Sequence, residues 1–160
     1  MIVFIVPGQP QGKGRPKIVK IGGFSRMATP QKTVFYENLV AHSASKAMTA
    51  ARQQLLEGPL EVVMAIDCQV PASWSGKKQR MALAGEIHPT SKPDIDNVVK
   101  AIFDGCNGVV WKDDVQVIDV AVRKRYTAAP RVQVWVQTAE QPVEQGELVA
   151  APAAAAEAVA

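Results

Sequence analysis

From residue 60 to residue 70 the chain reads LEVVMAIDCQV, a stretch rich in apolar and β-branched residues that begins directly behind Gly58-Pro59. A run of this kind behind a Gly-Pro stop reads as a strand in the middle of a core. The remaining signals arrange themselves around it. Residues 2–6 form a shorter apolar run closed by Pro7-Gly8, a second buried strand. Residues 115–126 and 131–137 are two more β-rich runs, joined by a turn containing Pro130. Thr29-Pro30 supplies an N-cap with proline at the first helical position, which predicts a helix running to about Leu56. A short helix is expected over 77–84. Over 93–105 the spacing of Ile95, Val99, Ile102, Phe103 and Cys106 is helical, with Asp96, Asn97, Lys100 and Asp104 forming the opposite, polar stripe. The expected fold is α+β in two layers, a mixed sheet of about four strands packed against two main helices.

A chain of 160 residues, 48% hydrophobic, can bury one proper core and no more. We expect a single domain over 1–138. The remainder, 139–160, is Ala, Pro, Glu and Gln with little to bury, a low-complexity and disordered tail. The net charge of +3 conceals an uneven distribution. The tail holds four of the fifteen acids and no Lys or Arg; without it eighteen bases face eleven acids, a balance of +7. A compact body of that charge attracts polyanions, nucleic acid first among them. Cys68 and Cys106 stand in apolar surroundings without CxxC or Cys/His spacing, so neither a disulfide framework nor a zinc site is indicated, and a reducing cytoplasm is the expected location. The opening MIVFIVPG has no basic segment and too short an apolar run for a signal peptide or membrane span.

The stretch 7–28 is broken by glycines and prolines and carries Lys13, Arg15, Lys17, Lys20 and Arg26. It reads as a long basic loop with a small hairpin pairing 18–20 with 24–26. Its Gly8-Gln9-Pro10-Gln11-Gly12-Lys13-Gly14 differs from a P-loop by one missing residue between the glycines and by lacking the Ser or Thr that would hold magnesium, so no nucleotide cofactor is expected. As a DNA surface the loop makes sense: glycines admit a phosphate to the backbone, while Lys13, Arg15, Lys17 and Arg26 pair with it without reading sequence.

The densest acids are Asp94-Ile95-Asp96-Asn97, followed by Asp113-Asp114. Asp94 and Asp96 at a helix start reach one small volume, and the helix N-terminus offsets part of their repulsion. If the following strand brings Asp114 alongside, three carboxylates converge, a costly cluster unless a divalent cation neutralises it. Oxygen-only ligation points to Mg²⁺, with Mn²⁺ an acceptable substitute. Beside a basic surface, that is equipment for phosphodiester hydrolysis. Lys100, one turn after Asp96, could orient that carboxylate or meet a phosphate oxygen. The plain alternative is that Asp94 is an N-cap and that Asp96, Lys100 and Asp104 form a solvated ladder of ion pairs.

The stretch Lys92-Pro93-Asp94-Ile95-Asp96-Asn97-Val98-Val99-Lys100-Ala101-Ile102-Phe103-Asp104, continued through Asn107-Gly108 to Trp111-Lys112-Asp113-Asp114, resembles the signature of the RusA family of Holliday-junction resolvases. Upstream, the Gly14-Arg15-Pro16 segment and the Thr29-Pro30 helix start are similar to the phage and prophage branch of that family, so the likeness spans about 1–137. It implies that Asp94, Asp96 and Asp114 are the metal-binding catalytic carboxylates and Lys100 the supporting lysine. Where some members carry an arginine just before the first aspartate, this chain has Pro93 preceded by Lys92, the candidate phosphate contact there. The implied function is resolution of four-way DNA junctions by a homodimer, since two opposed cuts call for two sites about a two-fold axis. Two rivals are a non-catalytic branched-DNA binder and a nuclease of the same fold acting on flaps or replication intermediates. His42 and His88 read as non-catalytic. Of the tryptophans, Trp135 alternates within a strand and is expected in the core, while Trp111, flanking the aspartates, is the candidate for stacking on a splayed base.

Overall fold

The computed structural model describes residues 1–139; the tail expected to be disordered lies, apart from Ala139, outside the described residues. In chain order the elements are β1 (Ile2–Pro7), β2 (Lys17–Ile21), β3 (Phe24–Ala28), α1 (Gln31–Ala50), β4 (Leu60–Gln69), α2 (Gly76–Leu83), α3 (Ile95–Cys106), a 3₁₀ turn (Asp114–Gln116), β5 (Val117–Thr127) and β6 (Arg131–Thr138). Four strands form one sheet in the order β1-β6-β4-β5, and β2 and β3 form a separate ribbon. β4 pairs antiparallel with β6 and parallel with β5, so the sheet is mixed, as expected.

Residues 60–69 take the centre of that sheet because they are apolar on the face that matters. Leu60, Val62, Met64, Ile66 and Cys68 point inward with Ile2, Phe4 and Val6 of β1 and Val132, Val134 and Val136 of β6. Onto this face pack Tyr36, Val40, Ala44 and Met48 of α1 and Val98, Ala101, Ile102 and Cys106 of α3. These are the two main helices; α2 sits at the β5 end, where Trp74 meets Tyr126 edge to face at 5.5 Å. Among the described residues no helix is long and apolar enough to cross a membrane. Both cysteines are buried and unpaired, and burial pushes both thiols above their usual range.

One buried charge lies on the opposite face. The Asp67 carboxylate is fully covered and accepts from Arg125 Nε at 2.8 Å, Arg131 Nε at 3.2 Å and Gln133 Nε2 at 3.2 Å. Paired from strands on both sides, it fastens β4 to β5 and to β6 and resists a register slip in either direction.

Three expectations are corrected. α1 stops at Ala50, not near Leu56. Residues 53–58 run instead as a strap across the α3–β5 connection, where the Leu56 amide donates to Val110 O at 2.7 Å and the Leu56 carbonyl accepts from Gln116 Nε2 at 3.0 Å. Pro30 itself occupies the cap position, and Thr29 makes no cap. Trp135 sits partly buried on the outer face, one residue out of phase with Val134 and Val136. An alternating strand leaves the choice of inner face open until its neighbours are known.

Candidate active site

α3 begins where the sheet and the basic arm meet. Its first residues are held from two sides: the Lys13 amide donates to Asn97 O at 2.8 Å, and Lys124 of β5 donates to Ser91 O in the approach to the helix. Gly12 is required at the first of these contacts, since a Cβ there would come within 2.9 Å of Asn97 Cβ. The loop and the helix start enclose an open cleft of about 400 Å³ lined by Gln9, Gly12, Lys13, Lys92, Asp94 and Asn97.

Asp94 stands at the N-cap position but does not cap: its backbone is extended, its side chain makes no cap hydrogen bond, and its carboxylate receives only a long 3.5 Å contact from Asn97 Nδ2. Asp96 lies in the first helical turn, exposed, with no hydrogen bond or ion pair among the described residues. Two exposed carboxylates thus stand at the start of α3 without an ion pair among the described residues, Asp94 lining the cleft and Asp96 two residues beyond it. The capping explanation for Asp94 falls away.

The pair at 113–114 is divided by the fold. Asp113 is the N-cap of the 3₁₀ turn, accepting from the Val115 amide at 3.1 Å, and Gln116 closes the reciprocal half of a capping box. Asp114 faces α3 and takes Lys100 Nζ at 3.1 Å. Gln116 reaches back to the carbonyls of Leu56 and Gly58, so the strap behind α1 fixes the turn that aims Asp114. Lys100 also binds Asp104 at 2.9 Å; the bonds to Asp104 and then to Asp114 raise its pKa and keep it charged. The ladder therefore exists from Lys100 to Asp104, with Asp96 left out of it.

Lys13, grouped by sequence with the phosphate-contacting bases, turns inward and bridges Asp104 and Glu37, the latter at 3.1 Å. Its bond to Asp104 raises its pKa. Arg15, Lys17, Arg26 and Lys92 are exposed. His42 and His88 are exposed as well, without partners among the described residues. Trp111, expected as a stacking residue, is fully buried: its Nε1 donates to Asn107 Oδ1 at 2.6 Å and its ring meets Phe103 edge to face at 5.5 Å. No base can reach it.

Asp104 was legible as a member of the polar stripe and of the ion-pair ladder with Lys100; that it also ties the basic arm to α3 was not. Partial burial pushes its carboxyl up, but the bonds from Lys13 and Lys100 outweigh this and hold it below the usual carboxylate value. A carboxyl lowered by folding adds stability above the ordinary aspartate pKa of about 3.9, and that stability disappears as pH falls through the lowered folded value. Asp104→Asn is expected to cost about 1–3 kcal/mol at neutral pH, with the gap from the parent closing as the parent's Asp104 protonates in acid. Urea unfolding at pH 7 and at pH 3 measures both; a gap independent of pH would assign the loss to packing.

As ligands, Asp94, Asp96 and Asp114 have the all-oxygen chemistry that a hard dication takes. Among the described residues, however, no three acidic, histidine or cysteine side chains are gathered closely enough to hold an ion, and Lys100 engages Asp114 directly. The sequence profile of the family described as Endodeoxyribonuclease RusA matches residues 7–137, which contain every element from β2 to β5 and nearly all of β6. The chain belongs to the RusA endodeoxyribonuclease family. It is also similar to the uncharacterized protein YqaN of Bacillus subtilis (strain 168), with 36% identity over 138 residues that cover 85% of this chain and 95% of the relative. The matched residues include Asp94, Asp96, Lys100, Asp114 and the basic arm.

Proposed function

We propose that this protein is a structure-specific endonuclease that resolves four-way DNA junctions, with Asp94, Asp96 and Asp114 binding Mg²⁺ and Lys100 supporting them. The observation that carries this reading is the pair of exposed carboxylates without an ion pair among the described residues, Asp94 lining the cleft where the arm meets α3 and Asp96 two residues on, in a chain of an endodeoxyribonuclease family. Carboxylates exposed and unpaired beside a DNA-facing cleft would repel phosphate, so their presence argues for a cation at work there. When bound, such an ion supplies an activated water and neutralises charge on the scissile phosphate. Lys100 holds Asp114 and, as a cation beside it, offsets its charge. Two opposed cuts require two such sites, and a two-fold homodimer is the simplest arrangement that provides them.

The test offers the protein a mobile four-way junction, a flap and a linear duplex with Mg²⁺ or Mn²⁺, mapping cuts strand by strand, with molar mass determined by light scattering. Symmetric paired cuts in the junction alone, made by a dimer, are expected. Cutting of the flap and not the junction would replace resolution by flap processing, and binding without cutting of any substrate would defeat the nuclease reading. Calorimetric Mn²⁺ titration supplies a second readout: saturable binding is expected, lost in Asp94→Asn.

The arm carries the DNA contacts in this reading. Arg15→Ala with Lys17→Ala is expected to weaken binding to every DNA form and to flatten the slope of log K against log salt by up to about two. Fluorescence anisotropy across a salt series measures it. An unchanged slope would put the phosphate contacts elsewhere.

A further inference from the structure

The β2–β3 ribbon sets apolar side chains in water where the fold does not need them. Ile18, Ile21, Phe24 and Met27 are all about two-thirds exposed or more, although four large apolar residues within ten positions would ordinarily be buried. An isolated two-stranded hairpin gains little from such residues. An exposed apolar patch rimmed by charge marks an interaction surface.

Register shows how the patch is built. Ile21 pairs with Phe24 across the turn, Val19 with Arg26, and Lys17 with Ala28, and these three pairs share one face of the ribbon. The turn is Gly22-Gly23, both with positive φ, the two-residue form that suits the twist of a tight hairpin. The tip is thus apolar, Ile21 at 65% and Phe24 at 76% exposure, with Arg26 and then Lys17 behind it. No acid occurs anywhere in the chain before Glu37, so the whole arm, which carries five Lys and Arg, holds a single sign of charge. The partner it suits is a polyanion.

The base of the ribbon is fixed while its tip is free. Lys13 and Gly14, a few residues before β2, donate backbone hydrogen bonds to Asn97 O and to Thr33 Oγ1, tying the arm to α3 and α1 beside Asp94. Five-residue strands project about 16 Å from that anchor. A rooted apolar tip with cations at its back matches the way proteins open DNA: the wedge enters between base steps while Lys and Arg behind it hold the flanking phosphates. Opening costs least where base pairs already lack a stacking neighbour, as at a branch point.

We propose that Ile21 and Phe24 form a wedge that enters the branch point of a DNA junction, selecting branched over linear DNA and setting the distance from the crossover to the cut strand. This rests on the junction-directed reading above. The experiment uses the full chain, without divalent metal, on a junction carrying 2-aminopurine at the crossover and on the matching duplex. The parent protein is expected to raise the probe's fluorescence. Phe24→Ala is expected to remove most of that rise and to weaken junction binding roughly ten-fold while leaving duplex binding unchanged, with Ile21→Ala and Phe24→Ala combined having the larger effect and Phe24→Trp restoring the signal. Three results would each overturn the wedge: an undiminished rise in the variants, an equal loss of affinity for junction and duplex, or a change in molar mass showing the tip to be a subunit contact. Cutting by the parent with Mg²⁺ is scored separately, so a protein that opens the probe but does not cut would defeat the nuclease reading and leave the wedge standing.

Discussion

Asp94→Asn, Asp96→Asn and Asp114→Asn are each expected to slow junction cutting by about a hundred- to a thousand-fold, while the affinity for the junction stays near that of the parent or rises slightly. The reason is a division of labour. In the proposed function, binding depends on the cations of the arm, while Asp94 and Asp96 at the start of α3 and Asp114, held by Lys100 at 3.1 Å, serve the chemistry. Asp113→Asn is the internal control. Asp113 is committed to capping the 3₁₀ turn, so its substitution should cost about 1 kcal/mol or less of stability and leave the rate nearly intact. Single-turnover rates at saturating protein, with binding measured separately, distinguish the four. An Asp94→Asn or Asp96→Asn variant that cuts at the parent's rate would remove that residue from the site, and a dead Asp113→Asn beside an active Asp114→Asn would exchange the assignments within the pair.

The largest loss of stability is expected at Trp111. Its side chain is fully buried, fills space against Phe103, and holds the connection between α3 and the Asp114 turn through its bond to Asn107 Oδ1 and its bridge to Leu56. Trp111→Ala removes both the volume and the bond, at about 3–5 kcal/mol, a drop in thermal midpoint on the order of 10 °C. Cutting should fall as well, because the loosened strap no longer aims Asp114 at Lys100. Trp111→Phe keeps most of the packing and should retain most of both properties. Calorimetry and cutting assays on the two variants decide the role. If Trp111→Phe kept its stability but lost junction cutting, the indole would be meeting DNA, against its burial.

Elements were readable along the chain because their signals are local. The apolar runs at 2–6 and 60–70, the β-rich run at 131–137 and the helical spacing of Ile95, Ile102 and Cys106 are each set within a few residues, and each became the element expected. The hairpin could be placed for the same reason, since Gly22-Gly23 specifies its own turn. Asp94 and Asp96 could be singled out because they belong to the densest local group of acids and lie within the stretch that resembles the family signature. What required the fold was every relation across distance. Which of Asp113 and Asp114 faces α3 depends on where a 3₁₀ turn is capped; whether Lys13 meets phosphate or Asp104 depends on a contact ninety-one residues away. Trp111 and Trp135 exchanged their expected places because an alternating strand and a flanking aromatic are compatible with either face until neighbouring strands cover one of them. The end of α1 obeyed the same rule. Nothing between Ala50 and Leu56 forbids a helix, but the amide and carbonyl of Leu56 bond to Val110 and Gln116, and hydrogen bonds to a distant segment outweighed a weak local preference.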